Sequence, residues 1–276
     1  MSDATARVVA ELRNGVATLR MNHPERLNGW TQSMQAALRA ELAAAAADSR
    51  VKVVVLTGTG EDYYSAGVDL SGALRLGHPR ALRQLIVAAN RALFEQFIQF
   101  PKPILAAVNG RAIGAPVTSA TLCDAIIASE RARFETPFAR VGLPAEGCSS
   151  VHLPRLIGEG AAARMLGPEG WAPTAAEALE VGLVDAVVPP DQLAAEAQER
   201  AERWAAEGRP RTLRAGATRA ELERVNAEES ERVADAFLSA EFLTGRYRFA
   251  RSRRKWKPAL AFWALRATRP VWSRLL

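Results

Sequence analysis

The run Val53-Val54-Val55-Leu56, followed by Gly58-Thr59-Gly60, decides the fold class. Consecutive apolar residues, mostly β-branched, that end in a glycine-rich turn describe a short strand buried on both faces. Such strands belong to parallel sheets, whose two faces are covered by helical crossovers. Working outward, the same rhythm returns. Upstream, apolar residues alternate over 7–13 and 16–21 around Asn14-Gly15, the signal of a type I′ hairpin. Thr31 or Ser33 then caps a helix that runs through an alanine-rich stretch to about Ala47. Downstream, Arg80 to about Gln99 reads as a long helix stopped at Phe100-Pro101-Lys102-Pro103, and Ile104–Val108 as a second apolar strand. Asn109 to Pro116 reads as a turn into a helix, with Pro116 suited to its first position, and Asp124–Ala128 as another strand. Strands alternating with helices predict an α/β fold.

From about Pro190 the character changes, and residues 191–206 and 217–238 read as helices rich in Ala, Glu and Arg. The expected organisation is an α/β core over 1–195 and a C-terminal helical region over 196–276. Pro258 and Pro270 bracket a short helical segment in the tail, and no internal sequence repeat is visible.

With 276 residues, 49% hydrophobic and 24% charged, the chain has ordinary globular usage and enough length for one large or two small domains; wholesale disorder is excluded. Two cysteines, Cys123 and Cys148, make no disulfide framework. His23, His78 and His152 stand singly with no zinc spacing, so no metal is expected. The opening Met-Ser-Asp-Ala-Thr carries an acid and no apolar core, and no stretch approaches the roughly 20 apolar residues of a membrane span. A cytoplasmic protein is expected. The net charge of +6 is uneven: residues 246–276 hold ten basic residues and no acid, which leaves −4 on residues 1–245. Basicity is therefore a property of the tail and is no argument for nucleic-acid binding by the body.

Three segments present chemistry. In Tyr64-Ser65-Ala66-Gly67-Val68-Asp69-Leu70, small residues beside a glycine let a ligand approach the backbone. In Gly114-Ala115-Pro116, proline lacks an N–H, so an outward donor belongs to Ala115, at a helix N-terminus that favours an anion. In Pro144-Ala145-Glu146-Gly147-Cys148-Ser149-Ser150, a carboxylate precedes a helix start at Ser149 or Ser150. Taken singly, each fits an ordinary loop or turn, and a loop glutamate is most often solvated.

In this order the segments resemble the crotonase superfamily, the enoyl-CoA hydratase/isomerase fold. The pieces are His23-Pro24-Glu25-Arg26-Leu27-Asn28, then Leu56-Thr57-Gly58-Thr59-Gly60 with residues 64–70. Pro101-Lys102-Pro103-Ile104, Ala107-Val108-Asn109-Gly110-Arg111-Ala112-Ile113-Gly114 and Cys123-Asp124 complete the set. The resemblance covers roughly residues 7–240. It implies a spiral of ββα units with a C-terminal helical oligomerisation region, a homotrimer or hexamer, and an acyl-CoA substrate with no cofactor beyond that coenzyme A. It places the oxyanion-hole N–H groups at Ala66 and Ala115. It also makes Arg26, Leu27, Ser65, Ala66, Gly67, Val68, Asp69, Leu70 and Gly114 the candidate coenzyme A contacts.

Hydratases of the family use two glutamates; Thr118 and Phe138 stand at those positions. The segment around Glu146 is instead similar to that of peroxisomal-type Δ3,Δ2-enoyl-CoA isomerases, with Ala145 where proline or threonine is usual. Phe134-Glu135-Thr136-Pro137-Phe138 and Val225-Asn226-Ala227-Glu228-Glu229 resemble the same subfamily. The resemblance thus implies an enoyl-CoA isomerase with Glu146 as its one base, and Glu135 as structural. Other thioester chemistry (hydratase, thioesterase) and a non-catalytic acyl-CoA binder are the alternatives. In the tail, Trp256, Leu260 and Trp263 fall at helical spacing; subunit packing ranks first for them, membrane contact second and nucleic acid last.

Overall fold

Strand β3 (Val53–Gly58) is buried on both faces, and its side chains divide between two cores. Val54 and Leu56 join the main core, while Val53 and Val55 face a second one. The same division holds in β5 (Ile104–Val108), where Ile104, Ala106 and Val108 face one way and Leu105 and Ala107 the other. It holds again in β7 (Ala125–Ser129), with Ile126 opposite Ile127. A period of two inside an unbroken apolar run therefore decides which layer each side chain enters. The computed structural model describes residues 6–69 and 78–276.

These strands lie in a six-stranded sheet of order β1-β2-β3-β5-β7-β9, with β1 (Val8–Arg13), β2 (Val16–Met21) and β9 (Ala186–Val188) completing it. The β1–β2 hairpin is antiparallel and the other pairings are parallel. Asn14 and Gly15 both have positive φ, as a type I′ turn requires. Helix α1 (Gln32–Ala47) is capped by Thr31, whose hydroxyl accepts from Met34 N.

A second, three-stranded parallel sheet is built from β4 (Tyr63–Ser65), β6 (Arg111–Ile113) and β8 (Arg133–Glu135). The stretch read as a simple turn over 109–116 thus contains a strand, too short for its pattern to show. With α2 (Pro79–Ile98), α3 (Ala115–Thr121) and α4 (Ser149–Ile157), the chain makes three ββα turns of a spiral: β3-β4-α2, β5-β6-α3 and β7-β8-α4. Helices α5 (Glu159–Leu166) and α6 (Ala175–Glu180) lead back to β9.

Helix α7 (Leu193–Ala206) packs Leu193, Ala197, Ala201 and Trp204 on the outer face of the six-stranded sheet. The boundary expected near residue 195 falls inside this helix. Then follow α8 (Arg219–Phe237), α9 (Ala240–Ser252) and α10 (Trp256–Trp272). Both prolines expected to bracket a short segment lie within α10, which runs past Pro270. Arg269 Nε donates to Leu238 O at 2.8 Å, bringing the end of α10 back to the start of α9. Trp256, Leu260 and Trp263 share one exposed face of α10. No helix among the described residues is long and apolar enough to cross a membrane.

Asp124 ties the sheet to the segment that leads into α8. Its carboxylate accepts from Ile104 N at 2.7 Å, from Thr212 N at 2.6 Å and from Thr212 Oγ1 at 3.0 Å. Arg211, also buried, pairs with it and donates to Leu122 O at 2.6 Å and Phe97 O at 3.1 Å. Removing one member of a buried pair strands the other charge, which costs about 3–5 kcal/mol. We expect Asp124→Ala to lose about that much stability in urea denaturation. A loss below about 1 kcal/mol would show that the pair is dispensable.

Candidate active site

Two bare backbone amides open into one cavity of about 510 Å³. The first is made by the β6–α3 turn. Gly114 has φ 68° and ψ −129°, a conformation that side chains exclude, and its N–H is held by Glu135 O at 2.7 Å. The next residue, Ala115, begins α3, so its N–H has no intrahelical acceptor. Among the described residues it meets no other. Pro116, second in the helix, offers no competing donor.

The second amide is that of Val68, and this corrects the expectation for Ala66. Ala66 N donates to Leu27 O at 2.9 Å and is committed to the scaffold. Gly67 O and Asp69 N bridge to Trp30, and Gly67 N donates to Ser65 Oγ at 3.3 Å. Val68 N has no acceptor among the described residues. The physical reason is alternation: the loop is pinned on both sides of Val68, so that amide is left over on the cavity side. Ala66, Gly67, Val68, Asp69, Gly114 and Ala115 all line the cavity.

The other expected contacts divide. Ser65 is fully buried and donates to Asn28 O at 2.8 Å, so it braces the loop. Arg26 and Leu27 are exposed in the turn after His23 and do not line the cavity; Leu27 serves through its carbonyl. Leu70 lies outside the described residues. Glu135 pairs with Arg111 across the small sheet, as a structural acid would.

Glu146 lines the same cavity and is only 9% exposed. The walls around it are apolar: Leu85, Ile86, Ala89 and Leu93 from α2, Phe138 and Leu143 from the preceding loop, and Val233 and Phe237 from α8. Asp69, also on the lining, is exposed at its edge, so among the described residues Glu146 is the one buried carboxylate there. Gly147 keeps the loop close. A Cβ there would sit 2.5 Å from a ring carbon of Phe94 and 2.6 Å from Thr118 Oγ1, at a φ of +68°. The loop therefore occupies the space beside Thr118, which is fully buried and donates to Ala115 O at 3.2 Å.

Three polar residues to which the sequence assigned no role support this carboxylate, although Glu229 ends the segment 225–229 that resembles the isomerases. Asn90 of α2 donates from Nδ2 to Glu146 Oε2 at 2.7 Å. Glu229 of α8, fully buried, accepts from Cys148 N at 2.6 Å and Ser150 N at 2.9 Å, clamping the loop to α8. Ser230 Oγ lies 2.9 Å from Asn90 Oδ1. The available signal was a polar residue on an apolar helix face: Asn90 between Ile86 and Leu93, and Glu229 between Val225 and Val233. Burial pushes the Glu146 carboxyl up to about 7, the nearby Glu229 charge adds to the rise, and the Asn90 hydrogen bond opposes it. Burial also raises Glu229 itself, against its hydrogen bonds from Ser150 and Cys148.

The three ββα turns and the small second sheet define a fold of crotonase type. A family profile described as Enoyl-CoA hydratase/isomerase matches residues 11–258. The chain is 36% identical over 245 residues to human enoyl-CoA delta isomerase 2, covering 85% of this chain and 60% of that protein. It thus spans less than two thirds of that relative's length. It is 32% identical over 186 residues to the 2,3-dehydroadipyl-CoA hydratase of Escherichia coli K12, covering 67% and 71% of the two chains. The crystal structure of an enoyl-CoA hydratase/isomerase from Pseudoalteromonas atlantica superposes with a TM-score of 0.76 at 31% identity, covering 89% and 97%. The chain belongs to the enoyl-CoA hydratase/isomerase family.

Two outcomes follow from the electrostatics. The Glu146 pKa is raised in the fold from 4.5 to about 7, so the fold favours the protonated form. The corresponding stability is complete below the unfolded value and is lost as pH rises through the folded one. Glu146→Gln, neutral throughout, should therefore match the native protein near pH 4 and exceed it above about pH 7, by something on the order of 3 kcal/mol. Denaturant titrations at both ends check this, and a constant difference would contradict it. Separately, Glu229→Gln removes a charge that raises Glu146. Infrared titration of the Glu146 carboxyl band, assigned by its absence in Glu146→Gln, should show its midpoint moved to lower pH. An upward move would mean that loss of the loop clamp outweighs loss of the charge.

Proposed function

We propose that the protein moves a double bond from C3–C4 to C2–C3 of an acyl-CoA, as a Δ3,Δ2-enoyl-CoA isomerase. The observation that carries the reading is a buried carboxylate, the single one among the described residues of an apolar cavity that also receives two amides without an acceptor among those residues. As carboxylate, Glu146 takes a proton from C2, and the electron pair of that C–H bond moves into the thioester carbonyl. The dienolate oxygen is held by the N–H groups of Val68 and Ala115; in comparable sites one such donor contributes roughly 3–4 kcal/mol to the transition state. Protonated Glu146 then delivers the proton to C4: the C3–C4 π pair forms the new C4–H bond, the C1–C2 pair of the dienolate becomes the C2–C3 double bond, and the oxygen pair restores the thioester carbonyl. Atoms balance without water.

A base whose pKa lies near the working pH can both accept and return a proton. The value near 7 suits Glu146 to each half of the reaction. Water activation fits less well. Phe138 lines the cavity, and Thr118 is buried behind the Glu146 loop, so neither position brings a second carboxylate. The acyl chain suits the apolar groove between α2 and α8, lined by Leu85, Ile86, Val233 and Phe237.

The test is incubation with a medium-chain 3-enoyl-CoA, following the conjugated 2-enoyl thioester by ultraviolet absorbance, beside a 2-enoyl-CoA hydration assay. Isomerisation should exceed hydration, and Glu146→Gln should lose about 10²–10⁴-fold in kcat, the worth of a general base. Hydration exceeding isomerisation would make the protein a hydratase. Acyl-CoA binding without turnover of either substrate would leave a binder or another thioester chemistry.

A further inference from the structure

Ser230 has one hydroxyl hydrogen and two acceptors in reach. Its Oγ lies 2.9 Å from Asn90 Oδ1 and 2.7 Å from the carbonyl oxygen of Asn226, one turn earlier in α8. A serine hydroxyl carries one donor hydrogen and two acceptor lone pairs, so it serves these oxygens one at a time. On its other side, Asn90 reaches Glu146 Oε2 at 2.7 Å. Ser230 and Asn226 are fully buried, so bulk water does not replace a lost partner.

Two arrangements give the Ser230 hydroxyl, the Asn90 Oδ1 and the Glu146 Oε2 each a partner. In one, Ser230 donates to Asn90 Oδ1, and Asn90 Nδ2 donates to the Glu146 carboxylate. In the other, Ser230 donates to Asn226 O and accepts from Nδ2 of a turned Asn90 amide, whose Oδ1 then accepts from the protonated Glu146. An amide is nearly symmetric in shape, so the turn preserves its packing. We propose that Ser230 is a positioning residue that lets the Asn90 amide show Glu146 a donor or an acceptor, matching its carboxylate and acid forms in turn.

The inference rests on the reading of Glu146 as the base that takes the C2 proton and returns it to C4. A proton held on Oε1 leaves Oε2 as acceptor for Nδ2; a proton held on Oε2 is received by the turned amide. No further proton donor or acceptor enters. Of the charged groups on the helices around the relay, Arg83 of α2 pairs with Glu231 and Asp235 of α8. Glu229 of α8 acts on Glu146 and is itself offset by Arg232. Asp69, at the cavity edge, interacts with Arg246 of α9. Arg91 of α2 pairs with Glu95, Arg140 packs on Gly170, and α3 carries no charge.

Nuclear Overhauser contacts of the Asn90 side-chain NH2 group test the turn in the resting protein. They should run to Glu146 Hγ above the Glu146 titration and to Ser230 Hβ below it, and the change should vanish in Glu146→Gln. Alongside, Ser230→Ala should lower kcat about five- to tenfold, the worth of one neutral buried hydrogen bond, with KM within about twofold. Ser230→Thr, which keeps the hydroxyl, should restore kcat. Contacts that stay with Glu146 on both sides of the titration would overturn the relay while leaving the base reading intact. An isomerase that remains active as Glu146→Gln would remove the base reading and the relay with it.

Discussion

A carboxylate that must be both dry and ionisable is the constraint on which this structure turns. Desolvation alone would hold Glu146 protonated, and full hydration would fill an apolar cavity with water. Helix α8 reconciles the two demands. Its Leu222, Val225 and Val233 are buried in the apolar cores, and its Asn226, Glu229 and Ser230 are buried on the same helix as polar partners. Glu229 fixes the backbone of the acid loop, Ser230 supports Asn90, and Asn226 donates to Arg91 O at 2.9 Å, tying α8 to α2. The helix that closes the groove thus also supports the carboxylate that lines it.

Buried polar groups also help to bring α8 to this place. The Asp124 cluster fixes the segment before α8 to the ends of β5 and β7. Two buried asparagines do similar work between turns of the spiral. Asn109 receives Gly58 N at 3.0 Å and donates to Gly60 O at 2.8 Å, while Asn28 donates to Thr59 O and Tyr63 O, each at 2.9 Å. In a spiral of three ββα turns, successive loops meet side by side, and amides with both donors and an acceptor suit such crossings. The loop ending at Asp69 is therefore supported from beneath, with the Val68 amide left open above it.

Much of the site was legible as loops rather than as atoms. The three segments around residues 66, 115 and 146 do converge on one cavity, and Glu146 and Ala115 stand in it as expected. The amide of Ala66 is taken, and the one left open on the cavity side is that of Val68, two residues on. Spacing along a loop identifies which amides lie near the surface, but the partner that occupies one of them, here Leu27 O, comes from a segment 39 residues away. Asn90 was invisible for the same reason, and Glu229 was legible only as part of the segment 225–229, without a role. Each is a single polar residue on a helix whose other inward positions read as ordinary core.

The sequence by itself determined the layers. Unbroken apolar runs at 53–56 and 104–108 require burial on both faces, and Asn14-Gly15 requires a hairpin, because these depend on local sterics and on alternation within a few residues. It also determined that one carboxylate, at 146, stands in a glycine-bearing loop next to a helix start. Only the tertiary structure decided what that carboxylate is. Its burial, its partners on α2 and α8, and its pKa near 7 arise from residues 56 and 83 positions away. Desolvation and long-range hydrogen bonding depend on the enclosing volume, which no local pattern specifies.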